Sequence, residues 1–386
     1  MKTKSELMVA EINTNIFYKE FTFDKNEFCI NKGQTKELAD NIVLLDDLFF
    51  IIQIKERNVN DIKTSMEEDK RFANIVIWKG KKQIKDSIRF FNEYASIPIT
   101  NRRQHTINVS KHNIKNAKKI IIYHPNSELL SEKNRFTKFY ESRIVENIHI
   151  IHLEDYLRIC KFLLTPTELN EYLEFRENLY LDHKNIIKNF PEQYILAHFL
   201  NTPDFSHIDV SYIDSLKEFS LDGSSYDISN LLNNFYENMY EEDKKKSTDY
   251  YEIIKVLAKL PREEIIEFKK RYKIIIDSII ANKEIYPYRF TSTSSQIGFV
   301  FIGLLNDKIP YWQNALINYT SIYKYKRKLQ KCIGVVIYKI KKHWHLNWIL
   351  IDQIWIHDEV MEEQMKIDEE IYGTGKVIYK DRYMKS

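Results

Sequence analysis

Three polar side chains lie in an otherwise apolar segment, ELADNIVLLDDLFFIIQIKER, at residues 37–57. Two apolar runs flank the Asp-Asp pair at 46–47, a pattern that predicts a β-hairpin with its turn at that pair. In this register Asp40 lies opposite Gln53. Because side chains alternate along a strand, Lys55 projects from the same face as Gln53. The spacing therefore predicts a carboxylate, an amide oxygen and an ammonium group on one face of a sheet.

Such a trio at a sheet edge suits Mg²⁺ (or Mn²⁺), which prefers oxygen ligands and typically takes one or two carboxylates together with phosphate oxygens. A bound metal would lower the pKa of a water molecule and offset charge that develops on a phosphate. Lys55 would orient that water or stabilise the transition state. The pattern leaves a second interpretation open, in which Lys55 simply pairs with Asp40 and Gln53 forms only local hydrogen bonds.

The arrangement Asp40…Gln53-Ile54-Lys55 resembles the signature of the PD-(D/E)xK nuclease superfamily. That signature is an acid, a strand-turn-strand, then a second acid, one further residue and a lysine. Gln53 replaces the second acid, as in the QxK variant of Mrr-type restriction nucleases. The resemblance implies that Asp40 is the principal metal ligand, Gln53 the second, the Ile54 carbonyl a further one, and Lys55 the catalytic lysine.

The first helix of many such enzymes contributes a glutamate that faces the metal. The resemblance therefore implies Glu11 as an auxiliary metal ligand and catalytic residue, with Glu6 as the alternative. Glu37 is a weaker candidate because strand alternation would place it on the face opposite to Asp40.

The superfamily core runs helix, three strands, helix, strand. Residues 4–19 predict the first helix, 81–94 the second and 118–123 the last strand, while the hairpin supplies two of the three strands between. Residues 1–153 thus predict a mixed α/β domain that is restriction-endonuclease-like, with a central mixed sheet.

The rest of the chain predicts two further regions. Residues 154–290 read as helical, with a strong helix start at 165–168 (Thr as N-cap, Pro at N1 and Glu at N3). Residues 291–386 predict an α+β C-terminal module for recognition or oligomerisation. In that module three antiparallel strands are interrupted by a basic helix around 313–331.

Charge is unevenly distributed although the net charge is only +3. Between residues 79 and 119 there are eleven Lys and Arg against two acids, which favours an anionic partner. An ordinary solvated basic surface is the alternative interpretation. The nucleic-acid-binding candidates are Lys79, Lys82 and Gln83 near the second helix, and Arg102 and Arg103 in a predicted hairpin loop.

Composition excludes several function classes. The three cysteines are far apart with no CxxC pair, which argues against a zinc ribbon or a disulfide scaffold and suits the cytoplasm. With 8 glycines in 386 residues, no phosphate-binding Gly-rich loop stands out. No stretch approaches the length of a membrane span, so no membrane association is expected.

Two C-terminal motifs offer other chemistry. His343 and His345 have the i, i+2 spacing that can chelate a transition metal, although surface residues of a sheet fit better. Residues 322–331 interleave Tyr with five basic residues, which suits phosphate contacts and base stacking, or an amphipathic surface helix.

Together these features predict a divalent-metal-dependent endonuclease that acts on DNA, of the kind found in restriction or phage defence. A homo-oligomer or a defence-system partner protein would fit that role. The alternatives are a nuclease-like fold that binds nucleic acid without cleaving it, a protein-interaction scaffold, and a zinc-dependent hydrolase at His343 and His345.

Overall fold

The chain forms two compact units, Met1–Thr248 and Asp249–Ser386. The computed structural model describes residues 3–24, 26–31, 33–57, 64–110, 112, 114, 116–126, 128–204, 206–221, 223–237 and 248–373. Both units mix helices with a sheet, so the predicted α/β class is confirmed. The division differs from the predicted three regions, 1–153, 154–290 and 291–386. Helices after residue 153 share a core with the first sheet, and those from 251 to 280 belong to the second unit.

The first unit contains ten strands in its described part. They are β1 (Thr22–Phe23), β2 (Glu27–Asn31), β3 (Gln34–Glu37), β4 (Asn41–Leu45), β5 (Leu48–Glu56), β6 (Pro98–Thr100), β7 (Thr106–Asn108), β8 (Lys118–His124), β9 (Phe139–Ser142) and β10 (Glu146–His152).

Helices cover both faces of the main sheet. They are α1 (Lys4–Ile16), α2 (Tyr18–Phe21), α3 (Ser65–Arg71), a π-helix (Phe72–Lys79), α4 (Gly80–Glu93), α5 (Glu132–Arg135), α6 (Leu153–Phe162), α7 (Pro166–Ile187), α8 (Glu192–Asn201), a 3-10 helix (Val210–Ser215), α9 (Leu216–Leu221), α10 (Gly223–Tyr226) and α11 (Ser229–Glu237).

The main sheet has the strand order β1-β4-β5-β8-β10-β9. Strands β1, β4 and β5 form an antiparallel meander, and β8 runs parallel to β5 after a crossover through α4. The elements α1, β1, β4, β5, α4 and β8 therefore follow the order helix, three strands, helix, strand. The sequence analysis did not predict the two-residue strand β1, and the hairpins β2–β3 and β6–β7 form separate two-stranded sheets.

The predicted register of the β4–β5 hairpin is confirmed. Leu45 pairs with Leu48 and Asn41 with Ile52, and Asp46 adopts a φ of 51° in the turn, a conformation that Asp tolerates. Both faces of β5 are covered. Alternate side chains such as Ile52 pack in the core formed with α1, α6 and α7, whereas Ile51 packs with α4.

A π-helix at Phe72–Lys79 occupies the segment that the sequence left undecided between strand and helix. Phe72 and Val76 are buried against the sheet, which anchors one side of this helix. At the junction with α4, a Cβ atom on Gly80 would lie 2.7 Å from Cδ1 of Ile121 on β8. Glycine at this position therefore allows the helix to approach the sheet closely.

The second unit contains a four-stranded sheet of order β11-β12-β13-β14. Strands β12 and β13 are parallel, which corrects the predicted all-antiparallel arrangement, and a helical crossover between them allows this pairing. The β11–β12 and β13–β14 pairs are antiparallel. The elements are α12 (Tyr251–Ala258), α13 (Arg262–Ile280), β11 (Tyr288–Thr291), β12 (Ile297–Leu304), a 3-10 helix (Ile309–Tyr311), α14 (Trp312–Lys326), β13 (Lys331–Ile340), β14 (His343–Asp352) and α15 (Glu359–Tyr372).

Across the described part of the chain, no helix combines the length and apolar character needed to cross a membrane.

A buried ionic cluster joins α7 and α8 to the first sheet. The guanidinium of Arg176, fully buried, donates to Oε1 of Glu192 over 2.6 Å and to the carbonyl of Ile150 over 3.0 Å. Lys138 adds a second cation 3.0 Å from Glu192. Burial alone would raise the pKa of Glu192, but the two cations outweigh it and hold that pKa well below its usual range.

We expect Glu192→Gln to lower the free energy of unfolding at pH 7 by about 3–5 kcal/mol, because two buried cations lose their carboxylate. Since the pKa of Glu192 is lower in the folded than in the unfolded state, its contribution is present above the unfolded pKa and fades as the pH falls below it. Urea unfolding at pH 7 and pH 3.5 should therefore show a smaller difference between variant and wild type at the lower pH.

Glu174→Gln is the matched control, because Glu174 is exposed and pairs with Lys118 at the surface. Its loss should stay below about 1 kcal/mol. Equal effects of the two substitutions would contradict a stabilising role of the buried cluster.

Candidate active site at the β4–β5 hairpin

Asp40 lies immediately before β4, beside Gln53 of β5 in the hairpin register. Its Oδ2 atom accepts a hydrogen bond from the backbone N–H of Ile54 over 2.5 Å and another from Nζ of Lys55 over 3.2 Å. The side chains of Lys55 and Asp40 are 8% and 10% exposed, so this ion pair is largely shielded from water.

The ammonium of Lys55 is surrounded by oxygen atoms. Besides Asp40, it donates to Oε1 of Gln53 over 3.3 Å and to the carbonyl of Ile54 over 2.9 Å. The predicted proximity of Asp40, Gln53 and Lys55 is thus confirmed. A carboxylate, an amide and a carbonyl oxygen converge on one position, and a cation, here the lysine ammonium, occupies it.

The electrostatics of Lys55 follow from this location. Burial lowers the pKa of its amine, and the charge and hydrogen bond of Asp40 oppose that shift only in part. The positive charge of Lys79 lowers the pKa further, whereas Glu6 raises it. The charges of Lys79 and Glu6 therefore both act on the ammonium of Lys55.

The structure places Glu11 elsewhere, which corrects its assignment as the auxiliary ligand. The buried side of α1 carries Val9, Asn13 and Ile16, and Glu11 lies on the exposed side. The alternative, Glu6, lies in the first turn of α1, where the backbone N–H of the adjacent Ser5 donates to the side chain of Glu56 at the end of β5 over 3.0 Å. The first turn of α1, and not its middle, adjoins the site.

Glu37 also belongs to the surroundings of the site. It ends β3, in the inserted β2–β3 hairpin, so the strand alternation assumed from the sequence does not apply to it. Partial burial raises the pKa of Glu37, and the negative charges of Asp40 and Glu6 raise it further. Glu6, Glu37 and Asp40 therefore create a negative potential that a cation would relieve.

The oxygen atoms present suit a hard divalent cation. Within the part of the chain that the structure describes, Oδ1 of Asp40 makes no hydrogen bond and is available as a ligand. No three His, Cys, Asp or Glu side chains among those described residues converge on a metal position. One carboxylate with amide and carbonyl oxygens fits Mg²⁺, which keeps several waters and binds phosphate oxygens. Asp40, Gln53 and Ile54 would hold it.

Two of the nucleic-acid-binding candidates are well placed. Lys79 and Lys82 are exposed at the end of the π-helix and the start of α4, and Lys79 is near Lys55. Gln83 is half-buried, and its Oε1 atom is buried without a hydrogen-bond partner in the described structure.

Arg102 and Arg103 have structural roles instead, which corrects their assignment to nucleic-acid binding. Arg103 is 8% exposed, donates to Oε1 of Glu20 over 2.7 Å and lies over the ring of Tyr236 at 3.9 Å. Arg102 pairs with Asp24 over 3.1 Å. The loop between β6 and β7 therefore anchors this hairpin to the rest of the unit through the ion pairs of its two arginines.

Several rings of the C-terminal motifs take part in tertiary packing. His345 stacks on Tyr338 with ring centroids 5.2 Å apart, and Nδ1 of His357 hydrogen-bonds with the Tyr325 hydroxyl over 3.2 Å. Tyr323 and Tyr325, predicted to stack on bases, are buried in the second unit. The predicted stacking role of 322–331 is corrected, because these two rings are buried. The metal-binding alternative at His343 and His345 stays a prediction.

The chain matches no model of a known protein family, no curated protein and no solved structure. Its function is therefore inferred from its own residues.

We expect Asp40→Asn to lower the free energy of unfolding at pH 7 by about 3 kcal/mol, because the ammonium of Lys55 stays buried without its carboxylate. The pKa of Lys55 is lower in the folded than in the unfolded state, so the unfolded chain binds more protons between these values and stability rises with pH. Urea midpoints at pH 7 and pH 10 should show the deficit shrinking at pH 10.

The matched control is Asp46→Asn, the same substitution in the exposed turn of this hairpin, where Asn also tolerates a positive φ. It should leave the midpoint nearly unchanged at both values of pH. A deficit in Asp40→Asn that is the same at pH 7 and pH 10 would mean that the lysine charge is not its cause.

Proposed function

We propose that this protein is a divalent-metal-dependent nuclease that hydrolyses phosphodiester bonds, with DNA as the expected substrate. The observation that carries the proposal is the convergence of Asp40, Gln53 and the Ile54 carbonyl on the ammonium of Lys55. Mg²⁺ or Mn²⁺ would be the cofactor.

The order of the elements supports the proposal. The PD-(D/E)xK resemblance implies helix, three strands, helix, strand, with the first acid at the start of the second strand and the lysine at the end of the third. Here Asp40 precedes β4, Lys55 lies near the end of β5, and β8 follows in parallel after α4. This order and the position of the polar trio within it arise from independent parts of the sequence.

Each side chain has a chemical role in the proposal. A bound divalent cation supplies an activated water and offsets charge on the phosphate. Asp40 and Gln53 present oxygen ligands from strands whose backbones are fixed by the sheet, so little reorganisation is needed. Lys55 moves from the oxygen cluster towards the phosphate, where its ammonium stabilises developing negative charge. Burial, which lowers the pKa of Lys55, also lets its amine exchange a proton more readily than an exposed lysine.

Glu6 and Lys79 complete the surroundings in this scheme. Both act on the charge of Lys55, one from the first turn of α1 and the other from the end of the π-helix. Glu6 replaces Glu11 as the acid that assists the metal, and Lys79 attracts the substrate backbone.

A nucleic-acid-binding protein without cleavage activity is the second candidate function. The observation that favours it is the Lys55–Asp40 ion pair itself, which satisfies both charges within the protein. It predicts salt-dependent binding that Lys55→Ala leaves intact.

A restriction or phage-defence role in the cytoplasm, with a homo-oligomer or a defence partner, extends the nuclease proposal by analogy.

The nuclease proposal predicts Mg²⁺- or Mn²⁺-dependent cleavage when the full chain is incubated with plasmid, linear DNA, single-stranded DNA or RNA, and none in EDTA. Lys55→Ala should reduce the cleavage rate by about 10²- to 10³-fold, because a positioned electrostatic group is lost. Glu6→Gln should also reduce it, whereas the matched variant Glu11→Gln on the exposed side of α1 should not. Wild-type binding without cleavage on every substrate would favour the second candidate.

Gln53→Glu tests the amide as a metal ligand. A second carboxylate strengthens the attraction for Mg²⁺, so the Mg²⁺ concentration for half-maximal cleavage should fall about tenfold, equivalent to about 1.4 kcal/mol. The measurement is the cleavage rate against Mg²⁺ concentration at fixed ionic strength. Gln53→Leu, similar in volume but without an oxygen, should abolish cleavage; if it remains active, Gln53 is not a ligand.

A further inference from the structure

An exposed tryptophan lies on the π-helix beside the candidate active site. Trp78 is 59% exposed, and Ile75, one turn earlier, is 38% exposed. The opposite side of the helix is fixed to the sheet by buried Phe72 and Val76. A π-helix is rare and occurs frequently at functional sites. The fold thus holds a large flat ring in water on a rigid support.

A lysine ammonium lies over this ring, and further lysines are close to it in the sequence. The ammonium of Lys82 lies 5.7 Å from the centroid of the Trp78 ring, within cation–π range. Lys79 follows Trp78 directly, and the next residue, Gly80, packs against Ile121, the β8 partner of Gln53. Residues 72–85 contain four lysines and no acid. An exposed aromatic face framed by positive charge suits a ligand that carries both a planar ring and phosphate groups.

We infer that Trp78 is a stacking platform for an unpaired nucleobase, with Lys79 and Lys82 binding the adjacent phosphates. The substrate class of the nuclease is then single-stranded or locally unpaired nucleic acid. This inference rests on the proposed function, because it assigns the substrate of the same site. In a duplex, neighbouring base pairs cover both faces of each base, so an exposed ring can stack only on a base that is unpaired.

The charge of the patch favours nucleic acid over an apolar protein partner. A protein-binding surface of this kind would place its lysines at a polar rim around a broad apolar centre. Here the large apolar side chains exposed on the π-helix are Trp78 and Ile75, the ammonium of Lys82 lies over the ring, and the exposed Lys79 is next to Trp78 in the chain. In a single strand, phosphates flank each base, so a base stacked on Trp78 would place its phosphates near the neighbouring lysines.

The test is binding of a fluorescein-labelled (dT)15 strand and of a 15-bp blunt duplex, followed by fluorescence anisotropy in EDTA so that no cleavage occurs. Trp78→Ala should weaken binding of the single strand by about 5- to 150-fold, the range for loss of one stacked base, and change duplex binding little. Trp78→Phe keeps an aromatic face and should retain most of the affinity. Circular dichroism melting should be the same for all variants, since the ring is exposed.

Two further readouts separate stacking from charge. Tryptophan emission of the wild type should fall when (dT)15 binds, and this fall should be absent in Trp78→Phe. The quenched emission can then be assigned to Trp78, which is the only tryptophan before residue 312. Lys82→Gln should weaken strand and duplex alike and reduce the salt dependence of binding.

The outcomes for this inference and for the proposed function are distinct. Trp78-dependent binding of the strand without Mg²⁺-dependent cleavage would retain the platform and overturn the nuclease. Cleavage by wild type with unchanged strand binding in Trp78→Ala would retain the nuclease and overturn the platform. Equal losses of affinity for strand and duplex in Trp78→Ala, or no binding of either ligand by the wild type, would also overturn the platform.

Discussion

Strand β5 is buried on both faces and yet carries a lysine, and this lysine constrains the whole first unit. An ammonium placed among Ile, Leu and Phe side chains requires oxygen partners, and the hairpin provides them from Asp40, Gln53 and the Ile54 carbonyl. A shift of one residue in the register would turn Lys55 towards the apolar core on the opposite face and Ile54 into the polar cluster. The buried ammonium of Lys55 requires oxygen partners, and the apolar residues of the hairpin alternate. Both features therefore favour the same β4–β5 register.

The surrounding elements meet at the end of β5 where this charge lies. The first turn of α1 brings Glu6, the end of the π-helix brings Lys79, and the inserted hairpin brings Glu37. The groups come from segments that are distant in sequence but converge on one edge of the sheet. Both signs of charge act on Lys55, so a cation or a phosphate that enters here would change the electrostatic balance of all these groups.

The sequence predicted those features that depend on local periodicity. The β4–β5 hairpin, its register and the grouping of Asp40 with Lys55 follow from alternation about one turn. β1 was missed because two residues carry no pattern, and the β2–β3 hairpin because β3 is exposed at every position and has no apolar side.

Features that depend on tertiary packing were predicted less well. Glu6 and Glu11 are both glutamates of one helix, and only the contact of α1 with β5 distinguishes them. Arg103 has the appearance of a surface residue until the fold brings Glu20 to it, and the exposure of Trp78 within an apolar run is visible only in the folded chain.

The ionic cluster around Arg176 has a consequence for where the first unit can be divided. Its guanidinium, on α7, binds the Ile150 carbonyl of β10 and the Lys138 carbonyl just before β9, and the same core contains residues from α1 to α9. Residues 1–153, which contain the sheet and its candidate site, therefore do not form an independent domain. A chain cut there would expose apolar surface and lose the guanidinium that binds those two carbonyls. The site and the helices that follow it share one core, and a shorter chain that kept only the first part would need a different covering for the same face.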